Sequence, residues 1–380
     1  MSIASTQADK KSSNHPDKIK ISGVILVDKP QGMTSQQVVS KVKYLFKSPN
    51  HDSKKAGHTG TLDPMATGLL PICLGEATKF SHYQLDADKS YQATILLGSQ
   101  TDTGDADGQV TAEATISAFD DTMLDKIAQQ FLGAQQQIPP MYSALKKDGK
   151  KLYEYARAGI EVDRPPRDII LKAIELKAID EQQIQLTVTC SKGTYVRVLA
   201  EDIAKAIGTL GHLTALSRLQ VGDFKIDETI TLANLEALAL EQRQTYLLPV
   251  DACIDINAEL TLSSEQCERV QMGQRLNVID QLTNDLQSYI TSAIEQHLST
   301  SNKNAAVNQN VEDDNDDNDD NDDNDDNDDN DDNDDNDDNA QQLLHEIPVD
   351  IRLIDEHGTF IGLGAVSLNG RLQPKKLIQL

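Results

Sequence analysis

No stretch of this sequence approaches the ~18 consecutive apolar residues that a membrane-crossing helix requires. The longest apolar runs are as short as residues 24–27, so no spanning helix and no membrane partner is expected. The first 18 residues hold no apolar segment behind their charges. They do not read as a secretory signal, and residues 1–21 are expected to be a disordered polar tail. Cysteine is scarce: Cys73, Cys190, Cys253 and Cys267 lie far apart and form no CxxC pair. That argues against a zinc site or a disulfide framework and for buried free thiols in a reducing compartment. A cytoplasmic protein is the expectation. Neither GxxxxGKS/T nor a GxGxxG behind a strand occurs, which removes the common phosphate-cradling loops.

An excess of positive charge is missing too, since the chain carries −26 at pH 7. The deficit is local. Residues 313–339 are nine Asp-Asp-Asn triplets with 18 aspartates and no base, and the other 353 residues carry −8. The first 62 residues carry +6. Bulk acidity therefore says little about partners and does not exclude RNA. The triplets lack the Gly and Glu that an EF-hand loop needs at its sixth and twelfth positions, and residues 102–108 (DTGDADG) fall out of register with the same motif. Aspartates in such density repel one another and bury nothing, so the repeat reads as a disordered spacer and not as a metal site.

What is present changes texture near residue 247. Before it, strands are expected at 22–29, 69–74, 90–97, 169–177, 184–190 and about 212–221. Helices are expected from a Thr34 or Ser35 cap to about Phe46, at 120–132, from a Thr194 cap to just before Gly208, and at 231–243. Residues 139–152 are rich in Pro and Lys and read as irregular, with a short helix to Gly159 behind them. Strands and helices alternate without βαβ regularity, which points to α+β. The expected domains are 22–246 and 247–380. The second is a small β unit with a hairpin turn at Asn369-Gly370, interrupted by a low-complexity insert at 281–345.

Residues 57–68 (GHTGTLDPMATG) place three glycines and a proline within a dozen positions, too many for a regular element. Pro64 pushes Asp63 into extended backbone, where a Gly-bounded loop can present its carboxylate outward. Asp-Pro is equally an ordinary turn start. Tyr91 likewise reads as the first inward residue of a strand, and Arg197 as a charge on a helix surface. The residues alone leave these alternatives open.

The segment GHTGTLDPMATGLLPICLGEATKFSHY closely resembles the signature of the bacterial tRNA pseudouridine-55 synthases, the TruB family. Other blocks agree in order and spacing: GVILVDKPQGM at 23–33, KSYQATILLGSQTDTGDADG at 89–108, IPPMYSALKKDGKKLYEYARAGI at 138–160 and CSKGTYVR at 190–197. FIGLGAVSLNGRLQPKKL resembles the family's small RNA-binding domain. The resemblance covers about 22–280 and 347–380. It implies a pseudouridine-synthase catalytic domain with a mixed, largely antiparallel sheet and a cleft across its middle, followed by a PUA-like β domain.

The implied reaction is isomerisation of uridine to pseudouridine at position 55 in the T arm of tRNA, after the base is extruded from its loop. The implied enzyme is a monomer that uses no metal and no organic cofactor. The competing reading is a tRNA-binding module without catalysis. Asp63 aligns with the family's nucleophile, and Arg197 with the Arg expected to keep it ionised. Tyr91 matches the aromatic that stacks on the target base and whose phenol can assist the C5 proton. Tyr195 and Leu216 match pocket-lining positions, and His58 the residue that fills the space left by the displaced nucleotide. A two-carboxylate glycosidase reading is set aside because Arg197 takes the partner position. The lysines at 41–55 and Lys146, Lys147, Lys150 and Lys151 are candidates for phosphate contact.

Overall fold

The computed structural model describes residues 18–52, 55–307 and 345–379, with the backbone alone at 52 and over 299–307. Residues 1–17 and the triplets at 313–339, and with them the readings of a disordered tail and spacer, lie outside the described residues. The end of the expected tail is paired: Ile19–Lys20 runs parallel to His51–Asp52. The chain forms two compact units that divide between Ile254 and Asp255.

The first unit is built on a ten-stranded mixed sheet. Its strands are β1 (Gly23–Lys29), β2 (Ala56–His58), β3 (Thr67–Leu74), β4 (Lys89–Leu97), β5 (Gly133–Gln137), β6 (Arg167–Ala178), β7 (Gln183–Cys190), β8 (Gly211–Val221), β9 (Phe224–Lys225) and β10 (Ile230–Thr231). The order is β10-β1-β3-β8-β4-β7-β6-β5, with β2 beside β3 and β9 beside β8. Only β8 with β3 and β10 with β1 run parallel, so the sheet is largely antiparallel, as the resemblance implies. Alternation decides the faces. In β7, Ile184, Leu186, Val188 and Cys190 are buried while the residues between them are half-exposed. β3 is instead buried along nearly its whole length.

Two core clusters flank this sheet. In one, α2 (Asp121–Phe131) and α4 (Val196–Ile207) pack on the apolar residues of β4, β6, β7 and β8. In the other, α1 (Ser35–Leu45) buries Val38, Val39, Val42 and Leu45 against β1 and β3. A capping box opens α1: Thr34 Oγ1 accepts from the Gln37 amide and Gln37 Oε1 from the Thr34 amide. Between α2 and α4 lies the short α3 (Leu152–Arg157).

Three local features differ from the sequence reading. The helix expected at 231–243 is two, α5 (Leu232–Ala237) and α6 (Leu240–Gln244), because Leu238 and Leu240 both turn toward the α1 cluster. The N-cap of α4 is Tyr195. Its amide donates to Gln137 Oε1 at 2.8 Å and its carbonyl accepts from Gln137 Nε2 at 3.1 Å. Thr194 instead donates to the Ser191 carbonyl. The stretch read as irregular contains a ribbon, Lys146–Lys147 with Lys150–Lys151, closed by Asp148 and Gly149 at φ 52° and 72°. Two successive positive φ values are the signature of a tight hairpin turn.

The second unit holds a five-stranded sheet of β11 (Glu259–Thr261), β12 (Leu276–Asn277), β13 (Val349–Ile354), β14 (Phe360–Val366) and β15 (Arg371–Leu377) in the order β11-β13-β14-β15-β12. Against it pack α7 (Ser264–Gln271) and α8 (Asn284–Val307). The insert expected from 281 therefore opens with a helix. Leu286, Ile290 and Ile294 form a four-residue-spaced stripe into the core, masked in the sequence by the Gln, Ser and Thr between them.

Candidate active site

The loop from β2 to β3 owes its shape to side chains from three other segments. Ser35 Oγ, at the start of α1, donates to the Leu62 carbonyl at 3.0 Å and accepts from the Leu62 amide at 2.8 Å. Lys29 Nζ, at the end of β1, donates to the carbonyls of Ala66 (2.6 Å), Pro64 (3.3 Å) and Pro30 (3.1 Å). Arg218, on β8, donates from Nε to Leu69 O at 2.8 Å and from a terminal nitrogen to Gly60 O at 3.2 Å. Both cations are buried. They satisfy carbonyls that no regular element would. Gly68, at φ 99°, allows β3 and β8 to approach: a Cβ there would lie 2.4 Å from Arg218 O.

The loop presents Asp63 to a cavity of about 880 Å³ lined also by Tyr91, Tyr195, Arg197 and Leu216. That is within the ~300–1,000 Å³ typical of sites that enclose a small ligand. Five of the six residues implied by the resemblance thus meet in one place. His58 is not among the lining residues; it stands two residues before Gly60, and its Nδ1 accepts from the Gly60 amide at 3.2 Å. Burial, helped by the Arg218 charge, moves the His58 ring below the usual histidine value, which favours the neutral form.

Arg197 projects from the first turn of α4. Its Nε lies 3.1 Å from Asp63 Oδ2. The terminal nitrogens donate to Thr103 O at 2.8 Å and Tyr142 O at 2.9 Å, and one lies 3.6 Å from Asp105 Oδ2. The guanidinium is shared between two carboxylates. Asp105 went unnoticed as a site residue because its segment looked only like a failed calcium loop. It is buried, and its carboxylate also accepts from Thr103 Oγ1 at 2.6 Å. Burial moves Asp63 above the ordinary carboxylate range; Arg197 and Lys29 act against that shift, and Asp105 adds to it. Arg197 therefore offsets only part of what burial does.

Tyr91 on β4 faces Arg218 on β8 as its cross-strand partner. Burial raises its phenol, and the Arg218 charge opposes the rise. Lys89, two residues earlier and also at the cavity, donates to the carbonyls of Gln84, Leu85 and Ala87. Burial draws it down to about 8. Lys29, Lys89, Asp105 and Arg218 were not singled out from the sequence. Only Lys29 and Arg218 left a trace there, as charges ending or interrupting apolar runs. At the cavity rim, Tyr153 and Arg157 come from α3. Lys150 Nζ lies 4.9 Å from the Tyr155 ring centre and the Arg157 guanidinium 5.2 Å from that of Tyr153. Lys41 is paired with Glu236.

Comparison with known proteins adds independent findings. Residues 49–196 match the model of the TruB family pseudouridylate synthase N-terminal domain. Residues 197–255 match the tRNA pseudouridylate synthase B C-terminal domain, and 346–378 the C-terminal model of pseudouridine synthase II TruB. A tRNA pseudouridine synthase B of Psychrobacter cryohalolentis is 86% identical over 380 residues, the whole of both chains. One of Aromatoleum aromaticum is 49% identical over 67% of this chain and 81% of that relative. Among solved structures, a Cbf5-Nop10-Gar1 complex aligns at TM-score 0.54 and 18% identity, over 93% of this chain and 84% of that one. An H/ACA RNP bound to a substrate RNA containing 2′-deoxyuridine aligns at 0.56 and 18%, over 94% and 85%. At that identity the likeness is one of fold. Similarity that runs unbroken from end to end, in the order in which these residues build the cavity, makes the chain a member of the TruB family of pseudouridine synthases.

Proposed function

We propose that this protein isomerises uridine to pseudouridine in tRNA, at position 55 of the T arm, with Asp63 as the nucleophile. The N1–C1′ bond breaks, the uracil turns, and a C5–C1′ bond forms; C5 gives up a proton and N1 gains one. The observation that carries the reading is the Asp63–Arg197 pair at 3.1 Å inside a cavity shared with Tyr91 and Leu216. A carboxylate is nucleophilic and also a competent leaving group, as a transient attachment requires. The side chain of Asp63 keeps 38% of its surface accessible although Arg197 holds Oδ2. In this reading Tyr91 and Leu216 sandwich the uracil, and Arg197 balances the charge on Asp63 as it forms and releases its bond. Extruding the base costs a few kcal/mol of stacking, and the tyrosine ring returns part of it.

The cations of the Lys146–Lys151 ribbon and Arg157 are the proposed phosphate contacts, and no cofactor is called for by a reaction that is neither redox nor hydrolysis. The two units together make the tRNA-binding chain, which acts as a monomer in the cytoplasm, the second unit taking the PUA-like role. The test is direct. Purified protein is incubated with unmodified tRNA, and pseudouridine is mapped by position. Conversion confined to uridine 55, absent with Asp63→Asn, supports the reading; conversion elsewhere, or none, overturns it.

A further inference from the structure

Arg218 is a buried guanidinium, 1% exposed, and among the described residues it makes no ion pair with a carboxylate. Taking such a charge out of water is costly unless its donors are all used. Two are used on the backbone that brackets the Asp63 turn, Gly60 O before it and Leu69 O after it. A third direction remains. Nη1 lies 3.4 Å from where a Cβ of Gly60 would stand, at the cavity wall. Arg218 is also directly opposite Tyr91 in the β4–β8 register, and directly opposed residues of an antiparallel pair project from the same face. Both line the cavity.

We propose that Arg218 is a positioning residue for Tyr91: its guanidinium ties the tyrosine phenol to the two carbonyls that fix the Asp63 loop, so that ring and carboxylate are held as one unit. This rests on the proposed function, in which Tyr91 stacks on the base that Asp63 attacks. The electrostatics agree. Burial, Cys190 and Asp63 push the Tyr91 phenol up, and the neighbouring Arg218 charge works against them. A planar fork serves three directions at once, which an ammonium on a flexible stem does not. Loop and ring belong to segments that meet only through β8, so this tie adds a direct side-chain link to the backbone ladders between them. Misplacement of a reacting group by about 1 Å can cost about 100-fold in rate.

The experiment is a double-mutant cycle on single-turnover pseudouridine formation, with tRNA affinity measured in parallel. Arg218→Lys is expected to lower the rate about 10- to 100-fold and to change affinity less than about threefold. In a Tyr91→Phe background, where the phenol is already gone, the same substitution is expected to cost less than about threefold. An undiminished penalty in that background overturns the proposal and leaves Arg218 a prop for the loop. A variant that fails to fold does not end the test. In protein with Arg218 intact and ¹⁵N-labelled arginine, Tyr91→Phe is expected to move the Arg218 side-chain resonances, and Tyr195→Phe to leave them in place. No movement with Tyr91→Phe overturns the tie. This arm needs no turnover, so it stands apart from any failure of the proposed reaction.

Discussion

At Asp63 two forces oppose each other, burial pushing the carboxyl up and Arg197 drawing it down, and burial prevails. A group that binds its proton more tightly folded than unfolded loses folding stability when it ionises. The loss is absent below the unfolded value of ~3.9 and grows as pH rises through the folded one. Asp63→Asn is therefore expected to abolish pseudouridine formation while keeping tRNA affinity within about tenfold, or ~1.4 kcal/mol. Because 38% of the Asp63 side chain stays accessible, water screens much of this effect, so the variant is expected to melt only slightly higher than the parent at pH 7, with the gain shrinking toward pH 4. Thermal melts at both pH values check this; a lower melting temperature at pH 7 would mean that the Arg197 pairing outweighs burial. Arg197→Lys keeps the charge but not the fork that reaches Asp63, Thr103 O and Tyr142 O. We expect its turnover to fall by about 100-fold or more with affinity nearly unchanged, as measured by single-turnover rates against titrated tRNA. Asp63, Tyr91 and Arg197 were legible because each sits in a short contiguous block. Lys29 and Arg218 were not. Their partners are backbone carbonyls up to 158 residues away, and a carbonyl leaves no mark in a sequence.

Among the elements, the Lys146–Lys151 ribbon carries a separable prediction. Its cations stand on a turn of two left-handed residues and against tyrosine rings, apart from the Asp63–Arg197 pair. Replacing Lys150 and Lys151 by Glu is expected to weaken tRNA binding. The slope of log affinity against log salt should also fall by roughly one for each phosphate that is no longer neutralised. The rate at saturating tRNA should change little. A salt series of binding isotherms measures the first, and single-turnover rates the second. Elements were readable wherever local pattern and tertiary demand agreed: the alternation in β7, the Thr34 cap, the turn at Asn369-Gly370. They were misread where a distant partner decided. Gln137 sets the start of α4, and the α1 cluster breaks the helix after Ala237. In α8 the apolar stripe is spaced by four in a polar run, so composition hid what periodicity contained.

For the whole molecule, 18 of its negative charges fall in residues 313–339, between α8 and β13 in the sequence of the second unit. Deleting them is expected to leave the reaction rate unchanged and to raise tRNA affinity slightly, mainly at low salt. Exposed charges are screened beyond ~8 Å at physiological ionic strength but reach ~30 Å at 0.01 M. Rates and affinities of intact and deleted protein across a salt series decide it, and a large loss of activity would give the triplets a role in the enzyme. The strand order has a consequence of another kind. β8 lies between β3 and β4 and so joins the half of the sheet that carries the Asp63 loop to the half that carries Tyr91. In sequence it follows the Asp63 loop, Tyr91 and even Arg197. A polypeptide still being synthesised exposes the whole GHTGTLDP motif long before Arg218 exists to hold it. Closing the chain over such separations is entropically slow. Competence should thus arrive in one step, with the insertion of a central strand, and a chain interrupted before residue 211 would carry the motif without a site to put it in.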